Sequence, residues 1–266
     1  MSQRFFCSTP IAAPTSGPIT DLRATLVDGE AHHLAHVMRA KVGDHVVLFD
    51  GGGAEFVARV ERVAKAAVDL SIVQRRDIDR ELPFTLTLAV ALPKGDRQRW
   101  LVEKATELGV TRLVPLITAR GVTDGRAALD RLRRAVIEAS KQCGRNRLME
   151  IAAAEKWQVL AASCREGVSE RWFAHPIGDR KSPLHAPCLD RAVHVTIAVG
   201  PEGGWTDEEV QLASANGWRC VDLGPRVLRV ETAAIAIAAA AIADRECRAQ
   251  RQTTDAPPNP LTRPSG

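Results

Sequence analysis

The feature that most constrains the fold of this chain is a regular alternation of apolar strands and helices that begins at Phe84. Strands are predicted at 84–92, 113–117, 171–174, 193–199 and 219–223, and helices at 97–108, 129–142, 156–164 and 207–216. A strand, a helix and a second strand in succession need a crossover connection, which makes neighbouring strands parallel. We therefore predict an α/β fold with a largely parallel sheet, and we expect ligands at the carboxyl ends of its strands.

The residues before Phe84 follow a different pattern. Short strands are predicted at 45–50, 55–60 and 67–73, and the glycines that follow Asp50 supply a turn between the first two. Short strands without long helices between them predict a small β-barrel, and the charged segment 75–81 is typical of a linker. We predict domains at 1–76 and 82–250 and a disordered, proline-containing tail at 251–266.

Composition limits the class of protein. Charged residues make up 26% of the chain and hydrophobic residues 45%, which favours a folded protein over a disordered one. We find no apolar run long enough to span a membrane and no secretion signal, so we expect a cytoplasmic location. The six cysteines form no C-x-x-C pair and have no histidine at ligand spacing, so we expect a reduced protein without a metal site. They are Cys7, Cys143, Cys164, Cys188, Cys220 and Cys247.

Two further segments have simple interpretations. His32 and His36 are one helical turn apart, and because no third ligand is visible they favour a helix on the barrel over a metal site. The last helix, from Glu231 to about Cys247, is rich in alanine and isoleucine and nearly apolar all round. It must be buried on more than one side, which either a dimer interface or a deep internal position would provide.

A glycine-rich loop, Gly200-Pro201-Glu202-Gly203-Gly204-Trp205, follows the strand 193–199. Thr206 and Glu209 then form a capping box that begins the next helix. Glycines allow a backbone to approach a ligand closely, and a helix start offers free N–H groups. The lysine of a phosphate-binding P-loop is missing and Glu202 would repel phosphate, so the pattern favours an uncharged or cationic ligand.

A second loop, Leu223 to Ala233, leaves the next strand and enters the alanine-rich helix. Arg226, Arg229 and Glu231 lie there beside an apolar element, which favours function over a capping or interface role. A third segment, Lys141 to Arg147, is a basic loop. The stretch 120–150 contains eight basic and four acidic residues, which indicates a polyanionic partner or, equally, a solvated helix face.

Four groups of residues in this order resemble the 16S rRNA (uracil-N3)-methyltransferase family of the SPOUT superfamily. The order and spacing match from Arg4 to about Ala243. The matching segments are Lys94-Gly95-Asp96 with Glu103-Lys104-Ala105-Thr106-Glu107-Leu108-Gly109, Gln142-Cys143-Gly144-Arg145-Asn146-Arg147, Gly200-Pro201-Glu202-Gly203-Gly204, and Leu223-Gly224-Pro225-Arg226-Val227-Leu228-Arg229 through Glu231-Thr232.

The resemblance implies a PUA-like N-terminal β-barrel that holds RNA and a C-terminal SPOUT domain with a deep trefoil knot at about 195–245. It also implies S-adenosylmethionine as the cofactor, a homodimer, and 16S rRNA or the small ribosomal subunit as the partner, with no membrane and no metal. The implied cofactor-binding residues are His175, Pro176, Gly200, Pro201, Glu202, Gly203, Gly204, Leu223, Gly224, Val227, Leu228 and Thr232.

The implied reaction suggests roles for the charged residues. Loss of the N3 proton of uridine leaves an anion spread over O2 and O4, which Arg226 or Arg229 could stabilise while Glu231 orients an arginine or acts as base. The residues that we assign to RNA contact are Arg4, Arg120, Lys141, Arg145, Asn146 and Arg147.

The chain departs from the family pattern at three places, and two other functions stay open. Val230 replaces a common threonine, Thr118-Ala119-Arg120 replaces Ser-Glu-Arg, and Trp205 replaces phenylalanine. The alternatives are a SPOUT enzyme that methylates the ribose 2′-oxygen, whose early Asn-x-Gly motif is missing here, and a non-catalytic RNA-binding assembly factor of the same fold.

Overall fold

The structure, a computed structural model, describes residues 4–121, 126–163, 169–176 and 193–254. The predicted helix end at Cys164 and the tail residues 255–266 lie outside these ranges. The strands and helices follow the chain in the order β1 (Arg4–Phe6), β2 (Arg23–Val27), α1 (Asp28–His32), a π-helical turn (His33–Val37), β3 (His45–Phe49), β4 (Glu55–Val63), β5 (Ala67–Arg76), β6 (Thr85–Val90), α2 (Arg97–Glu107), β7 (Arg112–Ile117), α3 (Arg126–Cys143), β8 (Glu150–Ile151), β9 (Glu155–Lys156), α4 (Trp157–Ala162), β10 (Ser169–Ala174), β11 (His194–Val199), α5 (Asp207–Ala215), β12 (Arg219–Val221) and α6 (Val230–Thr254).

The chain divides into two compact units, each assembled from three stretches of sequence. Unit 1 comprises Met1–Pro83, Lys94–Leu113 and Asp124–Ala152, and unit 2 comprises Phe84–Pro93, Val114–Thr123 and Ala153–Gly266. Unit 1 therefore contains α2 and α3 as well as the N-terminal strands.

Unit 1 is built on a five-stranded sheet in the order β1-β3-β4-β5-β2. β1 and β3 are parallel, and the other ladders are antiparallel. Along β5 the residues Val68, Leu70 and Ile72 are buried and alternate with less buried ones, because successive side chains of a strand point to opposite faces. The predicted β3, β4 and β5 are confirmed, whereas the short strands β1 and β2 were not predicted.

The segment that contains His32 and His36 is helical, as the sequence indicated. α1 continues into the π-helical turn, and the two imidazole rings contact each other in a tilted arrangement with their centroids 4.8 Å apart. The helix buries Ala31 and Leu34 in the core of the five-stranded sheet. The histidine spacing is thus explained by one helix that packs on the sheet.

Unit 2 contains strands in the order β12-β10-β11-β6-β7, with β9 paired to the end of β7. The β12/β10, β10/β11 and β11/β6 ladders are parallel, which confirms the α/β fold with a parallel sheet. β6 and β11 are almost entirely buried, which explains why both are continuous apolar runs rather than alternating ones. The two-residue strands β8 and β9 were not predicted.

Helix α6 contacts β6 and β11 and buries Ala234, Ile237, Ala238 and Ala241 completely. It extends to Thr254, beyond the predicted end at Cys247 and into the segment that was predicted to be disordered. Among the helices in the described part of the chain, none is both long and apolar enough to cross a membrane.

Arg145, which we predicted to contact RNA, lies inside unit 1 and is 3% exposed. Its Nη1 donates hydrogen bonds of 3.0 Å to the carbonyl oxygens of Thr106 and Val110, at the C-terminal end of α2. Its other nitrogens form an ion pair with Glu81. A guanidinium beside the C-terminal end of a helix donates to carbonyls there and offsets the negative end of the helix dipole, so this arginine stabilises α2 instead of facing solvent.

Arg4 and Asn146 form a second buried polar cluster in the same unit. Arg4 pairs with the carboxylate of Glu55 at 2.6 Å and donates to Asn146 Oδ1 at 2.8 Å. Asn146 Nδ2 donates in turn to the carbonyl of Ile78 at 3.0 Å. Lys141 is also mostly buried, in an ion pair of 2.7 Å with Glu30.

The structure therefore differs from the predicted RNA contacts at Arg4, Lys141, Arg145 and Asn146. The physical reason is burial, because each of these side chains is held by partners within unit 1 and has little surface left for a ligand. Sequence alone could not reveal this, since a cluster of basic residues has the same composition in a buried network as in an RNA-binding loop.

We predict that Arg145→Ala destabilises the protein strongly. Removing the guanidinium leaves the Glu81 carboxylate without its charged partner and the buried carbonyl of Val110 without this donor, and loss of one member of a buried pair costs about 3–5 kcal/mol. Chemical denaturation measures this as a lower free energy of unfolding. Arg99→Ala is the matched control, because Arg99 pairs with Glu103 on the exposed surface of α2, and it should change stability little. Equal stability of the two variants would contradict the buried role.

Candidate cofactor-binding pocket

Three strands of unit 2 end side by side. In the parallel ladders Ala174, the last residue of β10, pairs with Val199 at the end of β11 and with Val221 at the end of β12. The N–H of His175 continues the ladder by donating to the carbonyl of Val221 at 3.1 Å. The loops that leave these strands therefore meet at one edge of the sheet, where open α/β sheets bind ligands.

A pocket with a volume of about 780 Å³ lies at this edge. Small-molecule sites have volumes of about 300–1,000 Å³, so the pocket is large enough for a cofactor. It is lined by the ends of the three strands, both glycine loops and the first turn of α6. The lining residues are Ala174, His175, Pro176, Val199, Gly200, Pro201, Glu202, Gly204, Trp205, Val221, Asp222, Leu223, Gly224, Pro225, Arg226, Val227, Leu228, Val230 and Ala233.

The glycines of the two loops are required for different physical reasons. Gly204 and Gly224 have φ angles of 70° and 95°, a region that side chains other than glycine rarely adopt. Gly200 is required by packing, because a Cβ there would lie 2.8 Å from the indole ring of Trp205. The close approach that we predicted at Gly200 is thus made by a side chain of the same loop.

Trp205 forms part of the pocket wall and is 5% exposed. Its Nε1 donates a hydrogen bond of 2.9 Å to the carbonyl of Ala174, which ties the loop after β11 to the end of β10. Its ring packs 4.6 Å from that of Trp157 and contacts the edge of Phe173. The pocket wall therefore rests on an aromatic cluster in the interior of unit 2.

The pocket contains two carboxylates, Glu202 and Asp222, together with one arginine, Arg226. Asp222 Oδ1 accepts a hydrogen bond of 2.8 Å from the N–H of Gly224, which closes a tight turn. Nearby, burial and then the charge of Asp222 raise the pKa of the Cys220 thiol, which keeps that group protonated at neutral pH. Two carboxylates against one arginine in the lining favour a cationic ligand over a phosphate.

Helix α5 begins beside the pocket with the predicted capping box. The Thr206 hydroxyl accepts from the N–H of Glu209, and the Glu209 carboxylate accepts from the N–H of Thr206. The pKa of Glu208 is lowered, chiefly by a hydrogen bond to its own backbone and then by the Thr206 hydroxyl. The helix start is therefore already supplied with negative charge from the protein, which disfavours a phosphate there.

The structure brings most of the predicted site residues together. Eleven of the fifteen that we assigned to cofactor binding or catalysis line the pocket, while four lie outside its lining. The eleven are His175, Pro176, Gly200, Pro201, Glu202, Gly204, Leu223, Gly224, Arg226, Val227 and Leu228, and the four are Gly203, Arg229, Glu231 and Thr232.

The sequence analysis missed the residues that end the strands and those that begin the last helix. Ala174, Val199 and Val221 close the strands, and Val230 and Ala233 belong to α6. For Val199 and Val221 the available signal was their position at the end of a strand shortly before a glycine-containing loop. Trp205 and Pro225 were missed although they lie inside the two segments that we singled out, and Asp222 directly precedes the second.

Two of the residues predicted to contact RNA are exposed. Arg147 lies in unit 1, where its guanidinium is next to the backbone of Gly53, and Arg120 lies in unit 2 in the loop after β7. Within the described ranges there is no group of three or more side chains arranged to hold a metal ion.

Comparison with known families gives two matches. A family described as "RNA methyltransferase domain" matches residues 80–242, and one described as "RNA methyltransferase PUA domain" matches residues 26–73. The second match covers most of the five-stranded sheet of unit 1, which is accordingly a PUA-like half-barrel.

Two similar proteins have the same name. The chain is 34% identical to ribosomal RNA small subunit methyltransferase E of Synechocystis sp. over 229 residues, which covers 81% of this chain and 71% of that protein. It is 32% identical to the protein of the same name from Bacillus subtilis, covering 77% of this chain and 83% of the relative.

A solved structure that is similar to this chain has the same name as these relatives. It is a ribosomal RNA small subunit methyltransferase E from Neisseria gonorrhoeae bound to S-adenosyl methionine. That structure superimposes with a TM-score of 0.79 and 28% sequence identity, over 90% of this chain and 96% of the other. The family match over most of the chain, the identity above 30% and the shared fold lead to one conclusion: this chain belongs to the ribosomal RNA small subunit methyltransferase E family of RNA methyltransferases.

Proposed function

We propose that this protein transfers the methyl group of S-adenosylmethionine to N3 of a specific uridine in 16S rRNA, which yields 3-methyluridine. The observation that carries the proposal is the pocket that both glycine loops form at the ends of β10, β11 and β12, in a chain of this family. A solved relative from Neisseria gonorrhoeae is bound to S-adenosyl methionine.

The residues of the pocket fit this cofactor. A sulfonium is a cation, and the lining supplies two carboxylates, Glu202 and Asp222, against the single arginine Arg226. The apolar ends of the strands and the indole of Trp205 offer surface to a nucleoside. Backbone groups of Gly204 and Gly224 lie at the surface of the pocket without a side chain to cover them.

The glycine loops and the first turn of α6 would hold the cofactor, which supplies an electrophilic methyl group when bound. The protein has to keep water out and hold the acceptor ring in line with that group, since positioning supplies much of the rate. The strand ends Ala174, Val199 and Val221 are apolar, and Val227 is 99% exposed at the rim. We propose that Val227 becomes covered when the target nucleotide binds.

The exposed arginines of the second loop fit the chemistry at the acceptor. Uridine N3 carries a proton at neutral pH, and its loss leaves negative charge on O2 and O4. Arg226 lines the pocket, Arg229 stands in the sequence between the lining residues Leu228 and Val230, and both arginines are exposed. We propose that one of them donates to these oxygens and so stabilises the anion.

Glu231 fits an orienting role better than that of the base. It is 6% exposed, lies in the first turn of α6 and does not line the pocket. A buried carboxylate at a helix start favours the N-terminal end of that helix electrostatically. We propose that Glu231 fixes the start of α6, which Arg229 directly precedes.

RNA contact is proposed for the PUA-like domain, taken as 1–76, and for exposed arginines of both units. Arg147 is exposed and lies beside the turn between β3 and β4, so it can reach a phosphate. The methyltransferase domain is taken as 82–250. Phosphate contacts position the target, and they make binding weaken as salt concentration rises.

Three further features complete the proposal. The first is a trefoil knot at about 195–245, which fits a strand order that puts β12 next to β10 instead of β11. The second is a homodimer, for which α6 offers Ala236 and Ala243, exposed in the single chain, within the apolar stretch 233–243 of the helix. The third is a cytoplasmic location, which follows from a ribosomal substrate.

Nucleoside mass spectrometry tests the reaction most directly. Small ribosomal subunits from a strain that lacks this protein should gain 3-methyluridine when they are incubated with the purified protein and S-adenosylmethionine. Gain of a 2′-O-methyl nucleoside would instead identify the ribose methyltransferase. Binding to the subunit without any methyl transfer would identify the assembly factor, and either result would reject the proposal.

The variants Arg226→Ala and Arg229→Ala test the roles of the two arginines. We predict that at least one of them lowers kcat by about 100-fold or more, because removal of one preorganised donor has that effect. The Kd of S-adenosylmethionine, measured by calorimetry, should stay within about threefold of that of the unmodified protein.

Arg219→Ala is the matched control. Arg219 is an exposed arginine of the same unit, pairs with Glu170 at 3.3 Å and does not line the pocket. It should retain full activity. If both loop variants also retained full activity, neither arginine would stabilise the anion.

A further inference from the structure

The short loop that follows β7 is joined to the first glycine loop by hydrogen bonds within unit 2. Arg120 Nη1 donates to the carbonyl of Gly203 at 2.9 Å and to that of Trp205 at 3.4 Å. The N–H of Ala119 donates to Glu209 Oε1 at 2.9 Å. These residues belong to two segments that are more than eighty positions apart in the sequence, and none of these contacts was predicted.

The side chain of Arg120 lies where a side chain at position 203 would begin. A Cβ at Gly203 would lie 3.3 Å from Cβ of Arg120, which is tighter than nine in ten real Cβ contacts, and 3.4 Å from its Cδ. Gly203 does not line the pocket, although its neighbours Glu202 and Gly204 do. The lack of a side chain at Gly203 is therefore explained by the arginine that lies against it and not by a ligand.

The contact between Arg120 and the glycine loop supports one wall of the pocket. Trp205, whose carbonyl accepts from Arg120, presents its ring to the pocket and donates through Nε1 to the carbonyl of Ala174. The same ring lies against Gly200 at the start of the loop. A shift of the segment 203–205 would thus move the indole wall, Gly200 and the end of β10 together.

The loop that carries Arg120 is itself fixed. Glu209 is 3% exposed, and its two oxygens accept from the N–H of Ala119 and from that of Thr206, so it bridges the two loops. A buried carboxylate with donors on both sides resists displacement, because moving either donor would leave a charge without its partner. The backbone that carries Arg120 is therefore held in place, although Arg120 itself is exposed.

We infer that Arg120 is a positioning residue for the methyl-donor pocket: its guanidinium holds the glycine loop 200–205 in the shape that binds the cofactor. The inference rests on the proposed function, because it takes S-adenosylmethionine as the ligand. It replaces RNA contact as the main role of Arg120. Both hydrogen bonds come from Nη1 of a planar, rigid guanidinium, whereas the ammonium of a lysine is a point charge on a flexible stem.

The test is calorimetric titration of S-adenosylmethionine into the full-length protein without RNA, for Arg120→Ala and Arg120→Lys. We expect Arg120→Ala to raise the Kd of S-adenosylmethionine about tenfold. The substitution removes the charged hydrogen bonds that hold the loop 200–205 in its ordered shape. Arg120→Lys should recover part of that loss. The melting temperature without ligand should stay within a few degrees, and at saturating cofactor kcat should stay within about twofold while KM for the cofactor rises.

The unmodified protein and Arg219→Ala are the controls, and both should bind with the same Kd. An unchanged Kd in Arg120→Ala would overturn the inference, as would a change confined to the KM for RNA and its salt dependence, which is the signature of a phosphate contact. Failure of the unmodified protein to bind S-adenosylmethionine would overturn the proposed function itself, so the two failures are distinguishable.

Discussion

The candidate site depends on three parallel strands that end in register at one edge of a sheet. Ala174, Val199 and Val221 are direct neighbours across the ladders, so the loops that follow them have to emerge at the same place. Parallel strands impose this arrangement whatever the loop sequences are. Glycine-rich loops at such an edge leave backbone groups uncovered, and the result is a pocket with apolar walls and two carboxylates.

The same edge needs support from elsewhere in unit 2. Trp157, Trp205 and Phe173 pack together beneath the pocket, and Trp205 binds the end of β10 through its indole nitrogen. Arg120 and Glu209 hold the other side of the glycine loop. Large buried rings have few rotamers available, and charged hydrogen bonds are directional, so the two together restrict the loop to one shape.

Unit 1 shows how far basic residues can be misread from sequence. The loop 141–147 has the composition of an RNA-binding segment, yet Arg145 caps α2 and Asn146 completes a buried cluster with Arg4 and Glu55. Arg147, in the same loop, is exposed. The side chain of Arg145 faces inward because of contacts 35 to 64 positions away in the sequence, and no local pattern contains that information.

Other parts of the fold were accessible to sequence reasoning for identifiable reasons. β6 and β11 were predicted because strands buried on both faces are continuous apolar runs, and α5 because its capping box is local. Most of the pocket lining was predicted because its loops directly follow such strands. β1, β8 and β9 were missed since strands of two or three residues exist only through their partners. The contact between Gly203 and Arg120 was not predicted because the arginine comes from a loop more than eighty positions away in the sequence.

The central claim is that the two glycine loops form one pocket for a methyl donor. A crystal structure of this protein grown with S-adenosylmethionine tests it most directly. The account predicts density for the cofactor in contact with both the loop 200–205 and the loop 223–228, with the strand ends of β10, β11 and β12 beneath it. Cofactor density elsewhere in the protein, or none at saturating concentration, would contradict it.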